Sequence, residues 1–182
     1  MGGPKALLLW DGVPLAVAHA RARSADCDRA IVVTREPIAE ALLRADPTLS
    51  IVVSREPDEL GAAGSIAAAV RAGALGGAEQ VLVTPVDVAP AQTSTVRKVL
   101  EALSKGEASR PRLRGLPGHP VACRASRLAA WYAKEAVPLR DRLASLGSLC
   151  LEVDVDDPDV LVDFDTIEAF EARTGRKAAF WR

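Results

Sequence analysis

The sequence predicts an α/β fold with a mostly parallel sheet. Short β-branched apolar runs alternate with amphipathic helical stretches, and no internal repeat or low-complexity linker interrupts the alternation. Such alternation is typical of βαβ units, in which each helix returns the chain to the same edge of the sheet. The chain has 182 residues, 49% of them hydrophobic, which suits one sizeable core, so we expect a single domain over residues 1–182.

The alternation is most regular in the first half of the chain. The run at 30–34 is rich in β-branched residues, and in the next segment Ile38, Leu42 and Leu43 recur at helical spacing. The predicted order is a strand at 30–34, a helix at 36–45, a strand at 51–54, a helix from about 65 to 74, a strand at 81–84 and a helix bearing Val96, Val99, Leu100 and Leu103 that ends at Lys105-Gly106.

The second half is less regular. Its predicted elements are a short strand at 121–123, a helix that Ser126 caps and that runs through Tyr132, a helix at 139–146, a strand at 149–155 and a last helix at 166–174, ended by Gly175. Ligands of open parallel sheets bind beyond the carboxyl ends of the strands, so we expect functional residues directly after each strand.

Charge and composition exclude several classes of function. The formal net charge of -1 and the isoelectric point near 6.1 give no global attraction to nucleic acid or to an anionic membrane, which favours a small anionic substrate. No apolar run approaches the roughly 20 residues of a membrane span, and the N-terminus lacks the charged and then apolar segments of a signal peptide. We therefore expect a cytoplasmic protein. The three cysteines are widely spaced and fit neither a disulfide framework nor a zinc site.

Two glycine-containing segments are candidates for binding phosphate or a base. Gly3 and Lys5 belong to an opening Gly-Gly-Pro-Lys segment, where glycine lets backbone amides turn toward phosphate oxygens and lysine adds a mobile charge. Gly61, Gly64 and Ser65 lie at the N-terminus of the predicted helix at 65–74, where free amides and the helix dipole favour an anion or a polar base edge. A flexible terminus and an ordinary N-cap are the alternative interpretations.

Carboxylates are the candidates for a metal site. Asp87 follows the strand at 81–84 and is fixed between Pro85 and Pro90, an arrangement suited to holding Mg²⁺. A turn-capping role for Asp87 is the alternative. Asp163 or Asp165 is a second candidate carboxylate. Asp165 also has capping-box spacing to Glu168, which offers a purely structural explanation.

A basic, proline-rich segment at 111–120 is the last candidate. His119 stands between a glycine and a proline, and Arg110, Arg112 and Arg114 together carry enough positive charge to hold an anionic substrate group. A solvated basic loop is the alternative. The other histidine, His19, lies in an Ala-rich helical stretch and is interpreted as a partly buried helix residue.

The motifs occur in one order along nearly the whole chain: Gly3-Pro4-Lys5-Ala6-Leu7-Leu8 with Gly12-Val13-Pro14-Leu15, Gly64-Ser65-Ile66, Asp87-Val88-Ala89-Pro90, Gly115 before Gly118-His119-Pro120, and Asp163-Phe164-Asp165-Thr166. In this order and spacing they resemble the molybdopterin nucleotidyltransferases, most closely the cytidylyltransferase type. The Gly-His-Pro and Asp-x-Asp-Thr elements together are the most specific part of the resemblance.

The resemblance implies a Rossmann-like, three-layer nucleotidyltransferase fold. It also implies Mg²⁺-dependent transfer of a nucleoside monophosphate from CTP or another NTP to a phosphorylated acceptor such as molybdopterin, and hence a role in molybdenum cofactor biosynthesis. Nucleotide and a small phosphorylated acceptor are the expected partners, without nucleic acid or membrane. Phosphoryl chemistry of this kind depends on positioning and charge neutralisation, which suits a chain with no Ser-His-Asp set.

The same resemblance assigns roles to individual residues. Lys5 and Asp87 are the expected catalytic residues, with Lys5 on the triphosphate and Asp87 holding the metal with help from Asp165. The residues expected to border the nucleotide or the acceptor are Gly3, Gly61, Gly64, Ser65, Arg114 and His119, the last two on the acceptor side.

Family members begin with a buried strand and a glycine-containing loop that carries an arginine, both upstream of the equivalent of Met1. Without that strand its neighbours would keep unpaired backbone groups, each costing about 1–3 kcal/mol when buried. Three arrangements would fill the gap: residues 6–10 join the sheet, a second chain covers it as in a homodimer, or the translated start lies upstream. We therefore expect a fold lacking the first strand and a polypeptide with weak or no transferase activity.

Two rival functions remain open at this stage. One is a catalytically silent nucleotide-fold protein that acts as a binding or assembly module. The other is nucleotidyl transfer to a sugar phosphate, because acceptor choice depends on the shape of a pocket in the less regular C-terminal half.

Overall fold

The predicted α/β class is confirmed by the computed structural model, which describes residues 2–182. The strands are β1 (Leu9–Trp10), β2 (Val13–Pro14), β3 (Ile31–Thr34), β4 (Ser50–Val53), β5 (Gln80–Val83), β6 (Ala108–Leu113), β7 (Leu116–Pro117), β8 (Val121–Arg124) and β9 (Cys150–Asp154). The helices are α1 (Leu15–Arg23), α2 (Glu36–Ala45), α3 (Gly61–Arg71), α4 (Thr93–Ala102), α5 (Ala125–Tyr132), α6 (Leu139–Ala144) and α7 (Ile167–Thr174).

Most predicted elements are confirmed to within two residues, and the structure differs from the predictions at three points. Helix α3 begins at Gly61 rather than near Ser65, so the glycine segment forms its first turn. Helix α5 begins at Ala125, ahead of Ser126, and has no side-chain cap. Strand β6 occupies a segment that the sequence indicated as a basic loop. The sequence did not predict β6, because Pro111 is a residue type depleted in strands and the segment contains no β-branched residue.

The sheet is divided into two main parts and is mixed in direction. Strands β3 and β4 form a parallel pair, and a five-stranded sheet has the order β5-β8-β6-β7 with β9 beside β6. The β6–β9 pair is also parallel, whereas β5–β8, β8–β6 and β6–β7 are antiparallel. The β6–β7 hairpin turns at Arg114 and Gly115, both with positive φ, and such a tight turn requires antiparallel strands.

Helices cover both faces of the larger sheet. Val81 and Val83 of β5 pack in a cluster with α3, α5 and α6, whereas Leu82 packs with α4. Since successive residues of a strand face opposite sides, α3 and α4 lie on opposite faces, which gives the three layers. A separate cluster joins α1 and α2 to β3 and β4. None of the helices in the described part of the chain is long and apolar enough to cross a membrane.

Residues 6–10 do not join either main sheet. Leu9–Trp10 forms a two-residue hairpin with Val13–Pro14, and Leu8 makes an isolated bridge to Phe180. Within residues 2–182, β3 pairs only with β4 and β5 pairs only with β8. Residues 6–10 therefore do not replace the missing first strand, which was the first of the three arrangements considered above. The N-terminal segment lies instead against the C-terminal tail, where Trp181 N donates to Leu7 O at 2.8 Å.

Candidate active site at the carboxyl end of the sheet

Three residues widely separated in sequence meet in one ion cluster. Lys5 Nζ donates to Asp87 Oδ2 at 2.9 Å and to Asp165 Oδ1 at 2.8 Å. Lys5 lies in a short 3-10 turn, Asp87 follows strand β5, and Asp165 precedes helix α7. Partial burial opposes the charged form of Lys5, but hydrogen bonds to Asp165 and Asp87, together with their charges, raise the pKa of Lys5. The ammonium is therefore held in its charged form between two carboxylates.

Asp163 completes a group of three carboxylates. One oxygen each from Asp87, Asp163 and Asp165 lies within 4.8 Å of the others. Burial, followed by the charges of Asp87 and Asp165, raises the pKa of Asp163. The cluster holds three carboxylates and one ammonium, which bonds two of them, so a surplus of two negative charges remains. A set made only of carboxylate oxygens suits hard divalent cations such as Mg²⁺ or Mn²⁺, so the donor set fits a metal of this kind.

Backbone hydrogen bonds join the two segments that carry these carboxylates. Phe164 N donates to Asp87 O at 2.7 Å, and Ala89 N donates to Val162 O at 3.1 Å, which makes an antiparallel bridge between Val88 and Asp163. Phe164 is fully buried and packs edge-on against Phe170 of α7 at a centroid distance of 5.2 Å. Because residues on either side of Phe164 point away from that buried ring, Asp163 and Asp165 both face the Asp87 side.

Two polar residues, the buried Asp157 and the half-buried His19, fix the segment that follows Asp87. The carboxylate of Asp157, 2% exposed, accepts hydrogen bonds from Gln92 N at 2.8 Å and Thr95 Oγ1 at 2.9 Å, and so caps α4 from a distant segment. Its other oxygen accepts from Asp159 N at 3.1 Å. His19 Nε2 donates to Val88 O at 3.0 Å. Burial lowers the pKa of His19 to about 4, so the imidazole is neutral at pH 7.

The helix cap that was the alternative interpretation of Asp165 belongs to its neighbour. Thr166 is the N-cap of α7, and its Oγ1 accepts from Ala169 N at 3.1 Å. Asp165 is therefore not needed as a cap, and its carboxylate bonds Lys5 instead. Within residues 2–182, the Asp87 side chain likewise accepts only from Lys5 and caps no turn, which leaves that carboxylate available for an ion.

His119 lies near the carboxylates, and Arg114 does not share their cluster. Burial lowers the pKa of His119, although the negative charges of Asp87 and Asp163 act in the opposite direction. The Nδ1 atom of His119 is buried and has no hydrogen-bond partner among residues 2–182. His119 follows Gly118, where a Cβ would stand 2.3 Å from Val160 O, so the chain can pass there only as glycine. Arg114 is exposed at the β6–β7 turn.

A separate hollow of about 250 Å³ opens at the carboxyl ends of β3 and β4. Two predicted residues line it, Gly61 and Ser65, at the start of α3. Gly64 does not line it: a Cβ there would stand 2.9 Å from Leu60 Cβ, so this glycine allows close packing. The other lining residues are Val33, Thr34, Arg35, Ser54, Glu56, Pro57 and Asp58. Gly3 lies elsewhere, against the ring of Phe180, where a Cβ would approach within 3.0 Å.

The structure thus brings Lys5, Asp87 and Asp165 together and leaves Gly3, Gly61, Ser65 and Arg114 outside their cluster. Sequence reasoning did not assign functions to Asp157 or His19. Asp157 precedes a proline in an acidic run, and it caps the local turn there by accepting from Asp159 N. Its bond to Gln92 N spans 65 residues, so no local pattern predicts that second role. Arg110 and Arg112, interpreted as candidates for anion binding, face Glu152 and Asp154 across the β6–β9 register.

The family model described as a MobA-like NTP transferase domain matches residues 1–148. No curated protein matches significantly.

Solved structures share the fold. Rv0371c from Mycobacterium tuberculosis is similar with a TM-score of 0.78 and 21% identity, over 97% of this chain and 91% of that one. Its complex with manganese gives a TM-score of 0.78 and 22% identity, over 96% and 94% of the two chains. A nucleotidyl transferase from Methanothermobacter has a TM-score of 0.71 and 23% identity, over 93% and 82%. A 4-diphosphocytidyl-2C-methyl-D-erythritol synthase has a TM-score of 0.70 and 13% identity, over 93% of both chains.

Proposed function

Because the chain belongs to the MobA-like NTP transferase family, we propose that it transfers a nucleoside monophosphate from a nucleoside triphosphate to a small phosphorylated acceptor, with release of pyrophosphate. CTP is the favoured donor and molybdopterin the favoured acceptor. The observation that carries the proposal is the convergence of Asp87, Asp163 and Asp165 around Lys5. Metal-binding carboxylates beside a lysine are what a triphosphate needs for charge neutralisation.

Each residue of the cluster has a separate task in this proposal. Asp87 and Asp165 hold a divalent cation such as Mg²⁺, with Asp163 completing the oxygen set. Such a cation, when bound, neutralises phosphate charge as the bond to pyrophosphate breaks. Lys5 supplies a mobile positive charge to the phosphate tail. The manganese complex of the mycobacterial neighbour supports a divalent cation for this fold.

The nucleotide and the acceptor occupy different places in this proposal. The hollow at β3 and β4 receives the nucleoside, since backbone amides at the start of α3 and the hydroxyls of Thr34, Ser54 and Ser65 offer polar contacts to a base or ribose. His119 lies in the β7–β8 connection near the carboxylates, and there its half-buried ring borders the acceptor. Arg114 extends the same border at the surface.

A transfer assay tests the proposal. The full chain is incubated with radiolabelled CTP or GTP, Mg²⁺ or Mn²⁺, and either molybdopterin or a sugar phosphate, and pyrophosphate and labelled product are measured. We expect weak, metal-dependent pyrophosphate release that needs an acceptor and is lost in Asp87→Asn. Asp154→Asn is the matched control. Asp154 lies on strand β9 and pairs with Arg112 of β6, so this substitution should leave turnover unchanged.

The assay also separates the rival functions. Product with a sugar phosphate but not with molybdopterin would place the chain among sugar-phosphate nucleotidyltransferases. Calorimetric binding of a nucleotide without turnover on any acceptor would indicate a silent binding module. No heat with any nucleotide, with or without metal, would contradict the proposal altogether.

A further inference from the structure

We propose that Lys5 is a displaceable counter-ion: its ammonium occupies the cation position between Asp87 and Asp165, a divalent cation replaces it there, and the released ammonium then binds the phosphates of the nucleotide. This inference rests on the proposed function. It adds to that function the exchange of the Lys5 ammonium for a metal ion, so that metal binding also moves Lys5 toward the phosphates.

The contacts of Lys5 place it in competition with a metal. Its ammonium lies 2.9 Å from Asp87 Oδ2 and 2.8 Å from Asp165 Oδ1, so it already bridges the two carboxylates that a divalent cation would bridge. Metal–oxygen bonds of Mg²⁺ are about 2.1 Å long, which would put that cation within contact distance of an unmoved ammonium. Like charges so close repel strongly, and the ammonium must leave.

The surroundings of Lys5 allow that movement without refolding. The backbone beside it is fixed, because Ala6, Leu7 and Leu8 are buried and Leu7 bonds the C-terminal tail. The Lys5 side chain itself is 26% exposed and ends on a flexible four-carbon stem. The ammonium can therefore swing away from the carboxylates while its Cα stays in place.

A positive charge is needed there while the site holds no metal. Asp87, Asp163 and Asp165 bring three carboxylate oxygens within 4.8 Å of one another, and without Lys5 their repulsion would be uncompensated. The ammonium thus keeps the carboxylates assembled and lowers their affinity for free metal. A nucleotide, which gives the released ammonium a new anionic partner, removes that penalty, so nucleotide and metal bind cooperatively.

The test measures metal binding without turnover. Mn²⁺ affinity of the full chain is determined by electron paramagnetic resonance for the natural protein, Lys5→Met and Lys5→Gln. Lys177→Met is the matched control, since Lys177 is an exposed lysine outside the cluster. Without nucleotide we expect Lys5→Met and Lys5→Gln to bind Mn²⁺ about tenfold more tightly than the natural protein, and Lys177→Met to stay within about twofold.

Two further readings distinguish the possible failures. In EDTA, Lys5→Met should melt at a lower temperature than the natural protein and should gain more from added Mn²⁺. CTP should raise the Mn²⁺ affinity of the natural protein more than that of Lys5→Met. Equal or weaker Mn²⁺ binding by both Lys5 variants would overturn the exchange and leave the metal site standing. Absence of Mn²⁺ binding in every protein would overturn the proposed function together with the exchange.

Discussion

Two clusters of charged side chains in this molecule differ in their charge balance. Across the β6–β9 pair of the larger sheet, Arg110 and Arg112 of β6 pair with Glu152 and Asp154 of β9, two cations to two anions. At the carboxyl end of β5, three carboxylates lie together with one lysine, which bonds two of them. The balanced ladder has no charge left for a ligand, whereas the unbalanced centre has a surplus that a cation would neutralise. Charge balance, more than the number of charges, separates a structural cluster from a candidate site.

The two clusters also arise in different ways along the chain. The ladder follows from strand register: Arg110 lies opposite Glu152 and Arg112 opposite Asp154, and side chains two residues apart share a face. Asp154 and Glu152 raise the pKa of Arg112, and Arg112 in turn lowers the pKa of Asp154. The carboxylate centre depends instead on segments far apart in sequence, which backbone bonds at Val88 and Asp163 hold together.

The sharpest test of the contrast removes one carboxylate from each cluster. Asp87→Asn should weaken Mn²⁺ binding at least about 100-fold and abolish transfer, because it removes the least exposed of the three carboxylates. Asp154→Asn, with the same loss of one charge, should leave Mn²⁺ binding unchanged. Resonance titration with Mn²⁺ measures both. Comparable effects of the two substitutions would show that the clusters do not differ as their charge balance indicates.

The second test removes the residue that braces the centre. Asp157→Ala leaves Gln92 N, Thr95 Oγ1 and Asp159 N without their acceptor, so the free energy of unfolding should fall by about 3 kcal/mol. Mn²⁺ affinity should fall several-fold, since the segments that carry the carboxylates lose a shared anchor. Urea denaturation and Mn²⁺ titration measure the two effects. Asp156→Ala, at the exposed neighbour, is the control, and an equal effect there would refute the bracing role.

A third test uses pH on the histidine behind Asp87. Burial lowers the pKa of His19 to about 4, below its ordinary value, so the unfolded chain binds more protons between that pH and about 6.5. The stability that neutral His19 contributes is complete above pH 6.5 and is lost as pH falls toward 4. From pH 7.5 to 5.5 the loss is about 1 kcal/mol.

His19→Gln keeps a donor for Val88 O but does not titrate, so its unfolding free energy should fall less over the same pH interval. Urea denaturation at both pH values measures the difference between the two proteins. The other acidic groups and His119 are present in both and cancel in that difference. Parallel pH profiles would show that His19 is not buried as a neutral group.

The smallest effect is expected in the ladder. Arg112→Gln removes an exposed cation from a balanced set, and screened surface pairs contribute little, so the melting temperature should stay within about 2 °C of the natural value. Added salt should reduce even that difference. Differential scanning calorimetry at low and high salt measures it. A large loss of Mn²⁺ binding in Arg112→Gln would show that the ladder and the centre act together.

Local signals in the sequence predicted most of the fold. The apolar period indicated β3, α2, β4, β5 and α4 because those elements bury one stripe or one run of side chains. The same signal did not predict β6, whose burial comes from Ala108, Ser109 and Pro111 rather than from large apolar residues. It also placed the start of α3 too late, because glycines near a helix end resemble a loop.

The candidate site was predicted in part. Lys5, Asp87 and Asp165 were identified from their places in motifs, and they do meet. Which residue caps α7 was not decided by spacing, since Asp165 and Thr166 both suit that position. The braces at Asp157 and His19 act on residues 65 and 69 positions away, beyond the range of any local pattern.

The sequence by itself determined the alternation of strands and helices and the acidic and basic residues available at the ends of the strands. Only the tertiary structure decided which charges are matched in pairs and which converge in surplus. The reason is physical: side-chain period and capping act over a few residues, whereas the net charge of a cluster depends on which distant loops the packed core brings within a few ångströms of one another.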